Sequence, residues 1–238
     1  MSVEEANKVA LRAIRLWQRV QDNPTERDYN DFVSLMQLAI KQAGQPVAPY
    51  HAILAQCHFD VNNFAAAWQE AGIALSLDAD DYKSQYIRAL IAYANYVELA
   101  DQAKEKDLGV MGTLGQFRNI GGGYKRGYQA GYTIGDMIGT KRSRDQALKL
   151  FGTELAKMLD IFRRITRQGM PSNEFEAILR DLLRFADGIA AAQIKLTKEY
   201  DVYALVANAP VDNIEIEDDE QAEEIETIKL IAQARMVG

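Results

Sequence analysis

Ten of the 16 glycines of this 238-residue chain lie between residues 109 and 139. Five of them recur at a strict interval of four residues: Gly123, Gly127, Gly131, Gly135 and Gly139. Four residues advance an α-helix by about 400°, so these glycines would form a slowly drifting stripe without side chains. Because each interior glycine costs a helix about 1 kcal/mol relative to alanine, close packing against a neighbouring helix has to offset the stripe. The interval therefore predicts a helix-packing segment at the centre of the chain.

The stripe resembles a glycine zipper, a helix whose bare face lets another backbone approach at a right-handed crossing angle of roughly −40°. Three partners fit the pattern: another part of the same chain, a second copy of the chain, or the interface of a membrane. Lys125, Arg126 and Asp136 argue against a helix that crosses the bilayer, because charged side chains are costly inside it.

Basic residues accompany the stripe. Six of them lie between residues 118 and 144, where Asp136 is the one acidic residue. We expect an anion-binding surface formed by Lys125, Arg126, Lys141, Arg142 and Arg144. Its partner would be the acidic tail of the same or a second chain, an acidic protein, or anionic lipid. The run from Gly121 to Gly127 lacks the Gly-Lys-Ser/Thr ending and the preceding strand of a P-loop, which disfavours nucleotide binding.

On both sides of this centre, apolar residues recur at helical spacing, and no strand-like alternation of useful length appears. Thr25 with Asp28 has the pattern of a capping box, and Gly44 stands where a helix end favours glycine. Pro49 suits the first turn of a third helix, and residues 61–63 form a turn before a fourth. The sequence thus predicts an all-α fold that begins with helical hairpins.

The second hairpin carries a more specific pattern between Leu54 and Asp78. It has a small residue, an aromatic-type residue three positions later, a turn, an aromatic residue, and alanines at fixed offsets: Ala55, His58, Phe64, Ala67, Ala74 and Leu75. This spacing resembles one tetratricopeptide repeat. The sequence departs from the family pattern at Ala79, where proline is usual, and at His51 and Ala71, where aromatics are usual. The resemblance implies a helical hairpin at about residues 50–80 and, by analogy, peptide binding.

Aromatic residues of the fourth and fifth predicted helices are the candidates for contact with a partner, because aromatic residues are enriched in binding hot spots. They are Trp68, Tyr82, Tyr86, Tyr93 and Tyr96. The alternative is that these side chains fill the core between stacked helices.

After the centre, Ser143 with Gln146 predicts the start of one helix, and Ser172 opens a long helix to about Ala207. Residues 211–226 hold nine acidic residues and no basic one, which indicates an acidic linker before a short tail helix or a frayed terminus. The predicted domains are a tetratricopeptide-like domain (1–108), a glycine-rich basic segment (109–142), a helical hairpin (143–210) and the acidic linker with its tail helix (211–238).

Composition narrows the function classes. The net charge of −7 disfavours a general affinity for nucleic acid, and a single cysteine, Cys57, suits a reducing compartment. The sequence contains no run of 18 apolar residues that would predict a membrane span. We therefore expect a cytoplasmic protein. His51, Cys57 and His58 do not lie on one helix face, so we expect a structural role for them and no metal or other cofactor.

No arrangement of nucleophile, base or metal ligands that would support catalysis emerges from the sequence. We therefore expect a non-enzymatic scaffold or adaptor that binds a protein or peptide through its tetratricopeptide-like surface, with homo-oligomers as a further option. The alternative is a peripheral membrane protein that uses the basic glycine-zipper helix to engage anionic lipid.

Overall fold

The computed structural model describes residues 3–20, 23–105, 144–192, 194, 201–216 and 218–237. Over these residues the chain forms nine helices and two strands of two residues each, which confirms the predicted all-α class. The chain divides into two compact units, residues 1–154 and 155–238. None of the described helices is long and apolar enough to cross a membrane.

The first unit consists of paired helices. They are α1 (Val3–Val20), α2 (Glu26–Ala43), α3 (Ala48–Asp60), α4 (Phe64–Leu77) and α5 (Tyr82–Glu105), followed by the first turns of α6 (Arg144–Gln168). Helix α1 packs on α2 and α3 packs on α4, so the two predicted hairpins are present.

The helix ends of the hairpins follow from local chemistry. The Thr25 hydroxyl accepts a hydrogen bond from the Asp28 amide, and the Asp28 carboxylate accepts one from the Thr25 amide, so the predicted capping box is present. Helix α2 ends at Gly44, whose φ of +68° is left-handed and therefore favours glycine. Asn62 adopts φ of +62° in the next turn, and the Asn63 side chain caps α4.

Small residues on α1 and α4 allow close packing in the first unit. Helix α1 presents Ala6, Ala10 and Ala13 to α2, and these residues are at most 3 % exposed. Ala67 and Ala71 of α4 are fully buried in a second cluster. That cluster also contains Ala55 of α3 with Ile87 and Ile91 of α5, so α3, α4 and α5 share one core.

Alternate helices of the stack also touch each other. The Tyr50 hydroxyl of α3 donates to the Asn7 side chain of α1, and the Trp17 indole of α1 donates to the Asp60 carboxylate at 3.3 Å. A hairpin that packs on the hairpin before it, with alternate helices in contact, is the arrangement expected of helical repeats.

The second unit combines the rest of α6 with a compact C-terminal cluster. Its elements are β1 (Met170–Pro171), α7 (Ser172–Ala191), α8 (Val202–Ala207), β2 (Ile214–Glu215) and α9 (Asp219–Val237). The two short strands pair in parallel, with Met170 opposite Ile214. Helices α8 and α9 pack on α7, whose core face includes Phe175, Leu179 and Leu182.

The single helix expected from Ser172 to about Ala207 is instead two helices. Helix α7 ends at Ala191, and α8 begins after Asp201, whose carboxylate accepts a hydrogen bond from the Ala204 amide at 3.0 Å. The Tyr203 hydroxyl of α8 donates to Asp187 of α7, so the second helix turns back onto the first. An uninterrupted apolar pattern hid this break, because tertiary packing and one cap overrode helix propensity.

Helix α9 begins at Asp219, inside the acidic stretch. It buries Ile225, Ile228 and Ala232, whereas Ile231 is 42 % exposed. Asp219 and Glu220, in its first turn, lie next to the positive end of the helix dipole, which is the favourable end for acidic residues.

Candidate partner-binding surface

The five aromatic residues that the sequence analysis selected as partner contacts differ in their exposure to solvent. Tyr93 is 1 % exposed, and Tyr82 and Tyr96 are each 5 % exposed, so these three side chains lie in the core of the first unit. Tyr93 packs edge-on against Phe151 of α6, with 5.4 Å between the ring centroids. Trp68 and Tyr86 are half-buried and so present part of their rings at the surface.

Trp68 lies under an arginine. The guanidinium carbon of Arg88, on α5, stands 4.0 Å from the centroid of the Trp68 ring, which is cation–π geometry. Phe64 precedes Trp68 by one helical turn and packs against Phe59 with 5.5 Å between the centroids. Phe59, Phe64 and Trp68 are all half-buried at the edge of the core that α3, α4 and α5 share. We name Phe64, Trp68 and Arg88 the Trp68 surface.

Arg88 is held in place from behind by Glu154 of α6. Its Nε donates to Glu154 Oε2 at 2.9 Å, and its Nη2 donates to Oε1 at 3.4 Å. Gln85 Nε2 donates to Glu154 Oε2 and to the main-chain carbonyl oxygen of Glu154, both at 2.9 Å. The Glu154 side chain is 2 % exposed and that of Arg88 is 19 % exposed, so the pair lies largely out of water.

Gly72 makes room for this arginine. A Cβ atom at position 72 would stand 3.1 Å from Arg88 Nη1, which is tighter than ordinary van der Waals contact. Glycine inside a helix costs about 1 kcal/mol relative to alanine. At position 72, glycine lowers helix stability but leaves the space in which Arg88 approaches α4.

A second group of polar side chains lies between α2, α3 and α4. The Tyr29 hydroxyl lies 2.8 Å from His58 Nδ1 and accepts a hydrogen bond from the Asn63 amide group, while His51 Nδ1 lies 2.7 Å from Glu70. Burial lowers the pKa of His58, and the charge of Glu70 opposes that shift without reversing it. His58 thus joins the two hairpins as a buried, hydrogen-bonded side chain.

This second group has little capacity for chemistry. Burial, with a smaller effect of the Asp60 charge, raises the pKa of the Cys57 thiol well above its ordinary value, so the thiolate is disfavoured. Within the part of the chain that the structure describes, no three or more His, Cys, Asp and Glu side chains are grouped so that they could hold a metal ion.

The predicted sites at the centre of the chain lie outside the described residues. This applies to the helix-packing glycines Gly123, Gly127, Gly131, Gly135 and Gly139, and to Lys125, Arg126, Lys141 and Arg142 of the expected anion-binding surface. Arg144 is the first residue of α6.

Sequence reasoning missed Arg88, Gln85 and Glu154. Glu154 is separated from Arg88 by 66 positions, and nothing in the local pattern of either residue indicates a partner at that distance. Gly72 was the one available signal, because a glycine inside an otherwise regular helix indicates close approach by a neighbouring group.

Comparison with known proteins gives no relative for this chain. No protein-family model, curated protein or solved structure matches it. The helical hairpins are observed directly, whereas membership of the tetratricopeptide family stays a prediction.

Proposed function

We propose that this chain is a non-enzymatic scaffold whose N-terminal helical hairpins bind a protein or peptide through the Trp68 surface. The packing of α3 against both α1 and α5 supports this function, because stacked helical repeats serve as extended binding surfaces. The match of residues 54–78 to a tetratricopeptide repeat supports the same function by analogy.

The observation that carries the proposal is the fixed geometry of Arg88 beside a partly exposed Trp68. Tryptophan and arginine are the residue types that most often dominate binding energy at interfaces. Glu154 already restrains the Arg88 side chain, so binding would require little further loss of side-chain entropy. A partly exposed side chain whose rotamer is fixed before binding is a favourable anchor.

Affinity purification with immobilised protein tests this function. Wild-type protein, Trp68→Ala and the matched control Ile73→Ala are compared by quantitative mass spectrometry. Ile73 is a 40 % exposed residue of the same helix, five positions from Trp68 and about 140° around it. Melting curves of the three proteins establish that each is folded.

The expected result is at least one protein that is enriched on the wild type and on Ile73→Ala and is lost on folded Trp68→Ala. If Trp68→Ala retains every enriched protein, the Trp68 surface is not the binding site. Absence of any enriched protein would contradict the scaffold function itself.

The alternative of a peripheral membrane protein depends on residues 118–142, which lie outside the described residues, so it stays a prediction. Co-sedimentation with anionic liposomes, with neutral liposomes as the control, tests it separately.

A further inference from the structure

The outer face of α1 is basic. Lys8, Arg12, Arg15 and Arg19 follow each other at intervals of four, three and four residues, so they lie along one side of the helix. All four are exposed, on the side opposite the alanines that pack on α2. Lys8 pairs with Glu4 at 2.8 Å, whereas Arg12, Arg15 and Arg19 form no ion pair with any described residue. Leu11 lies beside this row and is 51 % exposed.

The outer face of α9 has the opposite charge. Glu220, Glu223, Thr227 and Leu230 recur at intervals of three, four and three residues on the side away from the buried Ile225. All four are exposed, and Glu220 and Glu223 form no ion pair within the described part of the chain. Leu230 is 54 % exposed, so an apolar patch follows the two carboxylates.

These two faces complement each other in one orientation. When α9 lies antiparallel to α1, Arg19 meets Glu220 and Arg15 meets Glu223, and in this register Leu230 lies opposite Lys8. The parallel orientation would place Glu4 and Glu5 against Glu220 and Glu223, which repel each other. The two ion pairs lie one turn apart, at the C-terminal end of α1 and the N-terminal end of α9.

We propose that the outer face of α1 in one copy of the chain binds the outer face of α9 in a second copy. Both faces are exposed, each within its own compact unit and among the described residues. Every copy carries both faces, and the proposed association is the reciprocal one, in which each copy contributes α1 to one contact and α9 to the other.

The chemistry of the interface sets its strength. Exposed ion pairs each contribute little to stability, so the dimer is weak and depends on protein concentration. Salt weakens it, because the Debye length falls from about 10 Å at 0.1 M to about 3 Å at 1 M ionic strength.

Sedimentation equilibrium of the full chain at low salt, over a range of concentrations, measures this association. Two charge-reversed proteins are compared with the wild type: Arg15→Glu/Arg19→Glu and Glu220→Arg/Glu223→Arg. A control, Arg27→Glu/Lys41→Glu, changes the net charge as much as the first variant, at exposed positions of α2. Circular dichroism confirms that each protein is helical.

The wild type and the control are expected to form a dimer that dissociates at 1 M salt. Each charge-reversed protein alone is expected to have an association constant lower by about tenfold or more, because two ion pairs per interface become repulsive in both symmetric copies. An equimolar mixture of the two reversed proteins restores complementary charge at both interfaces, so its association returns to within a few-fold of the wild type.

Three results would overturn the proposal. They are a wild type that stays monomeric at every concentration in low salt, an association that the reversals leave unchanged, and a mixture of the two reversed proteins that remains monomeric. The third result would show that the two faces do not meet between copies even if each contributes to association.

Discussion

Two arginines of this chain make similar bonds in very different surroundings. Arg88, in the first unit, binds both carboxylate oxygens of Glu154, and the two side chains are 19 % and 2 % exposed. Arg180, in the second unit, binds Glu176 and Glu224, at 2.5 Å and 3.3 Å, and is 45 % exposed. The number of bonds therefore says little about what each arginine does for the fold.

Burial decides the difference. A charge that has lost its water depends on its partner, and removing one member of a buried pair is strongly destabilising. An exposed charge keeps most of its water, so its pairing is nearly neutral and the charge remains available for recognition. In this chain, the buried pair links α5 to α6 and fixes Arg88, whereas exposed charges line the outer faces of α1 and α9.

The largest effect is expected from removing the carboxylate of the buried pair. Glu154→Ala leaves Arg88 and Gln85 without their shared acceptor and should reduce the free energy of unfolding by about 3–5 kcal/mol. Both tryptophans, Trp17 and Trp68, lie in the first unit, so urea unfolding followed by tryptophan fluorescence reports on that unit.

A paired replacement is the control for this prediction. Arg88→Met/Glu154→Leu removes both charges, and a buried ion pair exchanged for apolar side chains is often neutral or stabilising. If Glu154→Ala is as stable as the wild type, the Arg88–Glu154 pair is not shielded from water as its low exposure indicates.

Next in size is a test of apolar packing in the same unit. Ala67 is fully buried where α3 and α4 meet, so Ala67→Leu should overpack the hairpin and cost about 1–3 kcal/mol. The same fluorescence experiment measures it, with Ile73→Leu as an exposed control on the same helix. Equal stability of the two variants would count against close packing of this hairpin.

A buried group that titrates gives the third test. Because burial lowers the pKa of His58 in the folded state below its ordinary value of 6.5, the folded protein binds this proton less readily than the unfolded chain does. The stability contributed by neutral His58 is therefore present above pH 6.5 and is lost as the pH falls through the lower folded-state pKa. One proton limits the slope to about 1.4 kcal/mol per pH unit.

The matched variant is His58→Asn, whose Oδ1 takes the place of His58 Nδ1 and can still accept a hydrogen bond from the Tyr29 hydroxyl. Melting temperatures between pH 7 and pH 5 should fall less steeply in the variant than in the wild type. Parallel curves for the two proteins would show that the pKa of His58 is the same in the folded and in the unfolded chain.

The smallest effect is expected at the exposed arginine. Arg180→Ala removes two partly exposed ion pairs and should change the stability of the second unit by less than about 1 kcal/mol. Thermal unfolding followed by circular dichroism, at low and high salt, measures this change. A loss comparable to that of Glu154→Ala would mean that exposure does not separate the two arginines.

Local chemistry made much of the fold predictable. Thr25 with Asp28, Gly44 and Asn63 act through neighbouring backbone groups, so their roles can be read from a few adjacent residues. The break between α7 and α8 escaped prediction because no proline or glycine lies between the end of α7 at Ala191 and the cap of α8 at Asp201.

The candidate site was less predictable, because burial depends on distant parts of the chain. Tyr93 and Trp68 are both aromatic residues on apolar helices, yet Phe151 of α6 covers Tyr93 while Trp68 lies half-exposed beneath Arg88. Neither Phe151 nor Glu154 is near these residues in the sequence. The sequence therefore selected the right residue types but had no means of telling core from surface.

Double-mutant cycles on the two arginine pairs measure most directly whether burial decides the role of each charge. Alanine substitutions at Arg88 and Glu154, singly and together, should give a coupling energy of about 1.5–3 kcal/mol. The same cycle at Arg180 and Glu224 should give about 0.2–1 kcal/mol. Equal coupling energies, or a larger one for the exposed pair, would contradict the assignment of Arg88 and Glu154 as the buried pair that links α5 to α6.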